Sequence, residues 1–126
     1  MINVLLYVWQ LPQHILALIL LWVFRRRVTS IYRYEHVTVY RLSGTGWGVS
    51  LGRYVFLDVW YSDLSVMHET GHSVQSRYLG PLYLIVVGVP SIAMNILTRI
   101  GILDANRYYD RWPENWADRL GGINRR

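Results

Sequence analysis

The stretch of the chain best suited to chemistry is His68-Glu69-Thr70-Gly71-His72, in which two imidazoles flank a carboxylate. In a helix, His68 and His72 lie one turn apart on the same side, so their ring nitrogens can bind one metal ion. Glu69 then lies beside that ion, where its carboxylate can take a proton from a water molecule. The alternative is a pair of core histidines that hydrogen-bond to the backbone and bind no metal.

The flanking residues predict that this stretch is helical. Ser62 or Asp63 can cap the N-terminus of the helix, and Gly80-Pro81 should end it. On a helical wheel, both histidines and Gln75 lie at the edge of an apolar stripe formed by Leu64, Met67, Gly71, Val74 and Tyr78. The side predicted to face away from the core carries Ser65, Ser73, Ser76 and Arg77. The histidines would thus lie between core and cleft, where a substrate can reach them.

A second acidic motif follows downstream, in Glu114-Asn115-Trp116-Ala117-Asp118. Pro113 is suited to the first turn of a helix and Gly121-Gly122 to its end, so Glu114 and Asp118 should lie on one face. Catalytic zinc takes three protein ligands and leaves a position open for water. Glu114 can be the third ligand, and Asp118 can accept the far N–H of a ligand histidine and fix its tautomer.

An HExxH motif followed by ExxAD resembles the gluzincin metallopeptidases, whose third zinc ligand is the glutamate of such a motif. The resemblance implies that His68, His72 and Glu114 bind Zn²⁺ and that Glu69 is the general base. Peptidases of this kind commonly stabilise the oxyanion with Tyr, His or Arg. The candidates here are Tyr108, Tyr109 and His14, although tyrosines near tryptophans more often serve packing or anchor a chain at a membrane interface.

The likeness extends beyond the two motifs. Residues 68–84, the pair Tyr108-Tyr109 and residues 114–122 are similar to a group of small bacterial proteins that have no assigned function. In those proteins the third motif residue is often aromatic, whereas here it is Thr70. Because this position faces away from the expected ligands, the departure affects packing more than chemistry.

The composition indicates one small domain with an apolar surface or core. The chain has 126 residues, of which 52% are hydrophobic, with six Trp and ten Tyr, and its mean hydropathy is +0.17. It contains no cysteine, which excludes disulfides and thiolate metal sites. A transition metal must therefore be bound by histidines and carboxylates.

Basic residues are concentrated in Arg25-Arg26-Arg27 and Arg125-Arg126, and the net charge is +5. Beside apolar segments, such charge favours membrane lipid as a partner over nucleic acid, for which the sequence carries no motif. The alternative is a set of solvated arginines without a partner.

Residues 2–24 are almost all apolar and are long enough to cross a bilayer, which takes about 20 residues. The polar interruptions are Asn3, Gln10, Pro12, Gln13 and His14. The segment is predicted as a kinked spanning helix, a helix in the membrane interface or a buried core helix. If it spans, the arginines mark the cytoplasmic side, and the catalytic part faces the cytoplasm. Residues 1–27 are thus predicted as a membrane-spanning or interfacial helix and residues 28–126 as a zincin-like metal-binding domain.

The residues between this segment and the histidine helix predict two or three antiparallel strands. Ile31–Tyr40 and Val49–Trp60 have strand composition, with a turn signal at residues 43–46 and a bulge at Gly52. His36 is predicted as a solvated strand histidine. In zincins a strand edge beside the active helix pairs with extended substrate, whereas the alternative is a sheet that only packs on the helix.

Residues 82–102 form a second apolar segment. A single crossing would place Glu114 across the membrane from His68 and His72, so a core or re-entrant segment is favoured. The predicted fold is α+β, with an N-terminal apolar helix, a small antiparallel sheet, the HExxH helix, a second apolar helix and a short C-terminal helix. The expected function is that of a membrane-associated zinc metallopeptidase that acts on a peptide or protein substrate. The alternative is a non-catalytic, membrane-anchored structural or binding module with a structural metal or a polar core.

Overall fold

The computed structural model describes residues 2–123, without the side chains of residues 2, 3 and 105–107. Arg125-Arg126 lies outside the described residues. Within them the chain forms an α+β fold, as predicted. The helices are α1 (Ile2–Trp9), α2 (Leu11–Val23), α3 (Asp63–Leu79), α4 (Val89–Arg99) and α5 (Glu114–Leu120). The strands are β1 (Val28–Tyr34), β2 (Val37–Leu42), β3 (Gly48–Leu51) and β4 (Tyr54–Asp58).

The sheet is mixed, so the prediction of a small antiparallel sheet is wrong. Its strand order is β1-β2-β4-β3, and β2 and β4 are parallel while both outer pairs are antiparallel. A turn at Glu35-His36 divides the first predicted strand run into β1 and β2. Asp58 at the end of β4 accepts hydrogen bonds from the backbone N–H groups of Thr45 and Gly46, each at 2.7 Å. These bonds hold the β2–β3 loop at the end of β4. In the strand order, β4 lies between β2 and β3.

Gly52 also differs from its prediction as a bulge. It is the first residue of a two-residue turn that joins β3 to β4, with Leu51 paired to Tyr54. Its φ of 65° lies in the left-handed region that glycine adopts without strain.

Alternate residues of β2 and β4 pack on opposite faces of the sheet, as the period of a strand requires. One face packs on α3 in a cluster of Val37, Val39, Val55, Leu57 and Val66. The other packs on α2 in a cluster of Ala17, Leu42, Leu51 and Phe56. Residues before position 28 therefore contribute to the same core as the sheet.

The N-terminal apolar segment forms two helices that meet at Gln10, whereas the prediction has a single apolar helix, kinked if it spans a membrane. Its polar residues face inward. Gln13 Nε2 donates hydrogen bonds to Ser76 Oγ (2.9 Å) and to the Gly80 carbonyl (2.7 Å), and Ser76 Oγ donates to Gln10 Oε1 (2.6 Å). Among the described residues, no helix combines the length and the apolar character needed to cross a membrane.

The second apolar segment is helical from Tyr83 to Arg99, but a π-helical turn interrupts its α-helical geometry. It forms a 3-10 turn (Gly80–Leu82), a π-helical turn (Leu84–Gly88) and α4. Tyr83 and Val87 are buried, whereas α4 has no buried side chain. The segment thus packs on the protein along one side only and leaves much of its apolar surface exposed.

Candidate metal centre and cleft

Helix α3 has the predicted limits, starting after Ser62 and ending at Gly80, whose φ is 56°. The predicted apolar stripe is wrong in part, because Leu64 is 40% exposed and Tyr78 66% exposed. The side chains that are buried include Val66, His68, Thr70, His72, Ser73, Gln75 and Ser76. Polar residues can be buried here because partners on α2, the β3–β4 turn and α5 satisfy them, as they do for Ser76.

Helices α3 and α5 cross with their backbones in contact. A Cβ on Gly71 would lie 1.8 Å from the Ala117 carbonyl oxygen, and a Cβ on Gly121 would lie 2.1 Å from the Met67 carbonyl oxygen. Only glycine fits either position at this separation. The close crossing brings the start of α5, and with it Glu114, over the histidines of α3.

The carboxylate of Glu114 lies between the two imidazoles. Its Oε2 is 2.6 Å from His68 Nε2 and 2.9 Å from His72 Nε2, and all three side chains are buried. The structure therefore brings together the three residues that the two motifs predict as ligands, although Glu114 lies 46 and 42 positions from the two histidines in the chain.

Each histidine is also held at its other nitrogen. His68 Nδ1 is 2.6 Å from Asp118 Oδ1, which is the contact expected of Asp118. His72 Nδ1 is 2.7 Å from Gln75 Oε1, and Gln75 Nε2 donates to the Pro113 carbonyl at 3.1 Å. Since both acceptors require an N–H at Nδ1, the Nε2 atoms are the ones left to bind an ion.

By residue type, this set of donors could hold a zinc ion. The ligand atoms of His68, Glu69 and His72 lie within 4.8 Å of one another, and Glu114 Oε2 touches both Nε2 atoms. Two imidazoles with one carboxylate form a known catalytic zinc set. Ser91 Oγ donates a hydrogen bond to Glu114 Oε1, the oxygen that points away from the histidines. The carboxylate is thereby fixed at both of its oxygens.

Without a metal, the contacts within the cluster favour an ionised Glu114 and a protonated His72, so His72 Nε2 must release a proton before it can bind an ion. Burial alone raises the pKa of Glu114, but the hydrogen bonds from His68 and His72 outweigh it and hold that pKa well below its usual range. Burial lowers the pKa of His72, yet the contacts with Glu114 reverse the effect and raise it to about 9. Burial raises the pKa of Glu69, which strengthens this carboxylate as a proton acceptor. Glu114 thus stays ionised while Glu69 is adjusted towards proton transfer.

A cavity of about 450 Å³ opens beside the histidines. His68, Glu69, His72 and Glu114 line its polar end together with Tyr83, Tyr108 and Tyr109. Burial raises the pKa of Tyr108, so its hydroxyl keeps its proton and can donate a hydrogen bond. The Tyr109 ring meets the His68 ring edge to face, with centroids 5.0 Å apart. Both tyrosines are in position, and their role at an oxyanion stays a prediction.

Two histidines lie elsewhere than expected. His14 is not in the cleft, because its Nδ1 lies 2.9 Å from the Tyr7 carbonyl and its Nε2 accepts the Arg53 N–H at 3.1 Å. His36 is half-buried in the β1–β2 turn, with Nε2 2.9 Å from Ser73 Oγ, and is therefore not a solvated strand residue.

Tyr83, Ser91 and Asn95 also belong to the cleft, although the sequence reasoning gave them no role. Asn95 hydrogen-bonds to Tyr108. Ser91 and Asn95 are polar residues four positions apart within a largely apolar segment. That spacing places them on one helical face and is a signal that could have identified them.

The fold and the site together define a small α+β protein with a buried His-His-Glu cluster at the base of a partly apolar cleft. Comparisons with protein-family models, with curated proteins and with solved structures find no match to this chain.

Proposed function

We propose that the protein is a membrane-associated zinc hydrolase that cleaves peptide bonds. The observation that carries the proposal is the position of Glu114 Oε2, 2.6 Å and 2.9 Å from the Nε2 atoms of His68 and His72. A structural pair of histidines does not require a carboxylate from a distant helix between them, whereas a catalytic zinc requires such a third ligand.

Zinc, when bound, acts as a Lewis acid that polarises a carbonyl and lowers the pKa of water towards about 7. His68, His72 and Glu114 would hold it, with Asp118 and Gln75 fixing the imidazole tautomers. Glu69 accepts a proton from the attacking water and returns it to the departing amine nitrogen as the C–N bond breaks. Tyr108, which lines the same cavity, would donate a hydrogen bond to the developing oxyanion.

A peptide substrate is supported by the position of β3. This strand is at the edge of the sheet, pairs with β4 alone, and lines the cavity beside Glu69. An edge strand can pair with an extended peptide through main-chain hydrogen bonds. The substrate carbonyl would then lie alongside the histidines.

Attachment to a membrane is supported by the outward apolar residues of α1, α2 and α4 and by the exposed arginines that follow α2. An apolar helix face with arginines beside it is typical of helices that lie in the membrane interface, and we propose that mode of attachment. The expectation that the catalytic part faces the cytoplasm assumed that the N-terminal segment spans the membrane, and it stays a prediction.

The proposal is tested by zinc content and hydrolysis measured on the same preparations. We expect close to one zinc per chain, lost in His68→Ala and Glu114→Ala. Glu69→Gln should keep the zinc and lose about 10²–10⁴-fold in rate on a peptide library, since it removes the general base. Asp63→Asn is the matched control, because it makes the same type of change at an exposed position on α3. Metal-free protein with an intact fold, or a Glu69→Gln variant as active as wild type, would contradict the proposal.

A non-catalytic module is the second candidate, favoured by the fact that the buried cluster satisfies its own hydrogen bonds. Thermal unfolding with and without a chelator discriminates the two. A large fall in stability on chelation, together with no turnover of any peptide, would indicate a structural metal. Unchanged stability in metal-free protein would indicate a polar core.

A further inference from the structure

The wall of the cavity away from the histidines is apolar. It is built by Leu16, Leu20, Leu57, Leu84, Ile92 and Ile96. The volume of about 450 Å³ is within the range of ligand pockets, about 300–1,000 Å³. Such a wall favours apolar side chains over charged ones, because a charge placed there would lose its hydration without gaining a partner.

Part of this wall is also on the outside of the molecule. Leu16 is 41% exposed, Ile92 58% and Ile96 52%, although all three line the cavity. They therefore lie at its rim, Leu16 on α2 and the two isoleucines on α4. The apolar interior of the cavity continues through this rim onto the exterior of both helices.

The outward-facing sides of α2 and α4 are apolar, which is the reverse of the pattern in helices that face water. Helix α2 buries Gln13 and His14, and Gln10 just before it is buried too, while Ile15, Ile19 and Trp22 are exposed. Several apolar side chains of α4 are exposed as well. Soluble monomers rarely leave large contiguous apolar patches uncovered, whereas a bilayer interface takes up such a face favourably.

The charge at the end of α2 indicates what covers this surface. Arg25, Arg26 and Arg27 are exposed directly after the helix, and the Arg25 guanidinium lies 4.8 Å from the centre of the Trp22 ring. A tryptophan and a cluster of arginines next to an apolar face match the headgroup region of an anionic bilayer. An anionic lipid surface is thus complementary in both apolar character and charge.

We infer that α2 and α4 lie in the interface of an anionic bilayer and that the substrate is an apolar segment of a membrane-resident polypeptide. This segment passes between the two helices, across the rim of Leu16 and Ile96, into the cavity. The inference rests on the proposed hydrolase for its catalytic step, and the access route is tested separately by binding.

Cross-linking tests the route, and the chain is suited to it because it has no cysteine. Single cysteines are introduced at the rim, as Leu16→Cys and Ile96→Cys, in a Glu69→Gln background that prevents turnover. Matched controls are Ile19→Cys on α2 and Ile100→Cys directly after α4, which are exposed neighbours of the rim positions but do not line the cavity. The probe is a leucine-rich peptide of about 20 residues with one central cysteine. It is reconstituted in vesicles of phosphatidylcholine and phosphatidylglycerol.

With copper phenanthroline added as the oxidant, we expect disulfides to form about tenfold faster at the two rim positions than at their controls, because a seated segment holds both sulfurs at high effective concentration. Equal rates at rim and control positions would show that the peptide contacts only the outer surface and would overturn the inference. Faster cross-linking of the rim to a soluble polar peptide than to the embedded one would also overturn it. If the rim cross-links as expected but Glu69-containing zinc protein cleaves no peptide, the hydrolase proposal fails while the access route stands.

Discussion

At the scale of single residues, the site depends on both nitrogens of each histidine having a defined partner. Asp118 lies 2.6 Å from His68 Nδ1, and Gln75 lies 2.7 Å from His72 Nδ1. These acceptors place a proton on Nδ1, so Nε2 would be the ligand atom for the proposed zinc ion. One acceptor is charged and the other is neutral, so the two histidines are not equivalent as ligands.

Replacing Asp118 by Asn should weaken zinc binding by about 10–100-fold, the range usual for partners that orient ligands. The amide is nearly the same size but removes the negative charge that makes the His68 imidazole more basic. Competition with a chromophoric chelator measures the zinc affinity. Asp110→Asn is the control, since Asp110 is exposed on the preceding turn and should leave the affinity unchanged. An unchanged affinity in Asp118→Asn would show that this contact only supports the packing of α5.

The residues of the site were predictable where helical spacing determined them. His68 and His72, like Glu114 and Asp118, lie four positions apart, so each pair was placed on one helical face before any coordinates were known. His14 was not predictable in this way, because its partners, the Tyr7 carbonyl and the Arg53 N–H, belong to the backbone. Backbone partners leave no mark in side-chain patterns.

At the scale of elements, the site is assembled by the crossing of α3 and α5. Gly71 and Gly121 let the two backbones meet, and this contact carries Glu114 to the histidines. Gly71 lies within the HExxH motif, and it therefore has a steric role in addition to the chemical roles proposed for the residues around it. The sequence predicted both helices and their limits, but not their separation, which depends on atoms from two distant segments.

Gly71→Ala should lower the free energy of unfolding by about 1–3 kcal/mol or more, the range for an overpacked contact. The added methyl would overlap the Ala117 carbonyl, so α5 must move and Glu114 must leave the imidazoles. Urea unfolding and zinc content together measure the effect. Gly88→Ala is the matched control, because a Cβ there would lie 3.6 Å from its nearest neighbour. Wild-type stability and zinc content in Gly71→Ala would show that the crossing has room to relax.

The sheet shows a limit of prediction at the same scale. Strand composition indicated most of the residues in β1 to β4, but the run from residue 31 to residue 40 contains a turn without glycine or proline. Glu35 takes the positive φ there, at 53°. The parallel pairing of β2 with β4 joins segments that are separated by β3, and local sequence patterns do not contain such a pairing.

At the scale of the whole molecule, the N-terminal segment has two roles. Its inner side contributes Ala17 to the core and joins Gln10 and Gln13 to α3, while its outer side presents apolar residues. Removing residues 1–27 would therefore unfold part of the protein as well as remove its proposed anchor. The contribution of the anchor has to be measured with substitutions on its exposed surface.

Arg25 and Arg26 offer such substitutions, because both are exposed and neither lies in the core. Changing both to Gln should weaken binding to anionic vesicles by about 2 kcal/mol, or roughly 30-fold, at about 1 kcal/mol per arginine near the surface. Vesicle co-sedimentation with phosphatidylcholine and phosphatidylglycerol measures the loss. The difference from wild type should shrink in 1 M salt, where the Debye length falls to about 3 Å.

The matched control is the pair Arg33→Gln and Arg119→Gln, which removes the same charge from exposed positions on β1 and α5. If the arginines next to α2 act because they lie at the lipid surface, the control pair should retain most of the affinity. Equal losses in both pairs would mean that net charge alone attracts the protein, with no defined bound face. In that case α2 and α4 would have no fixed place in the bilayer, and lateral access of an apolar segment to the cavity would lose its physical basis.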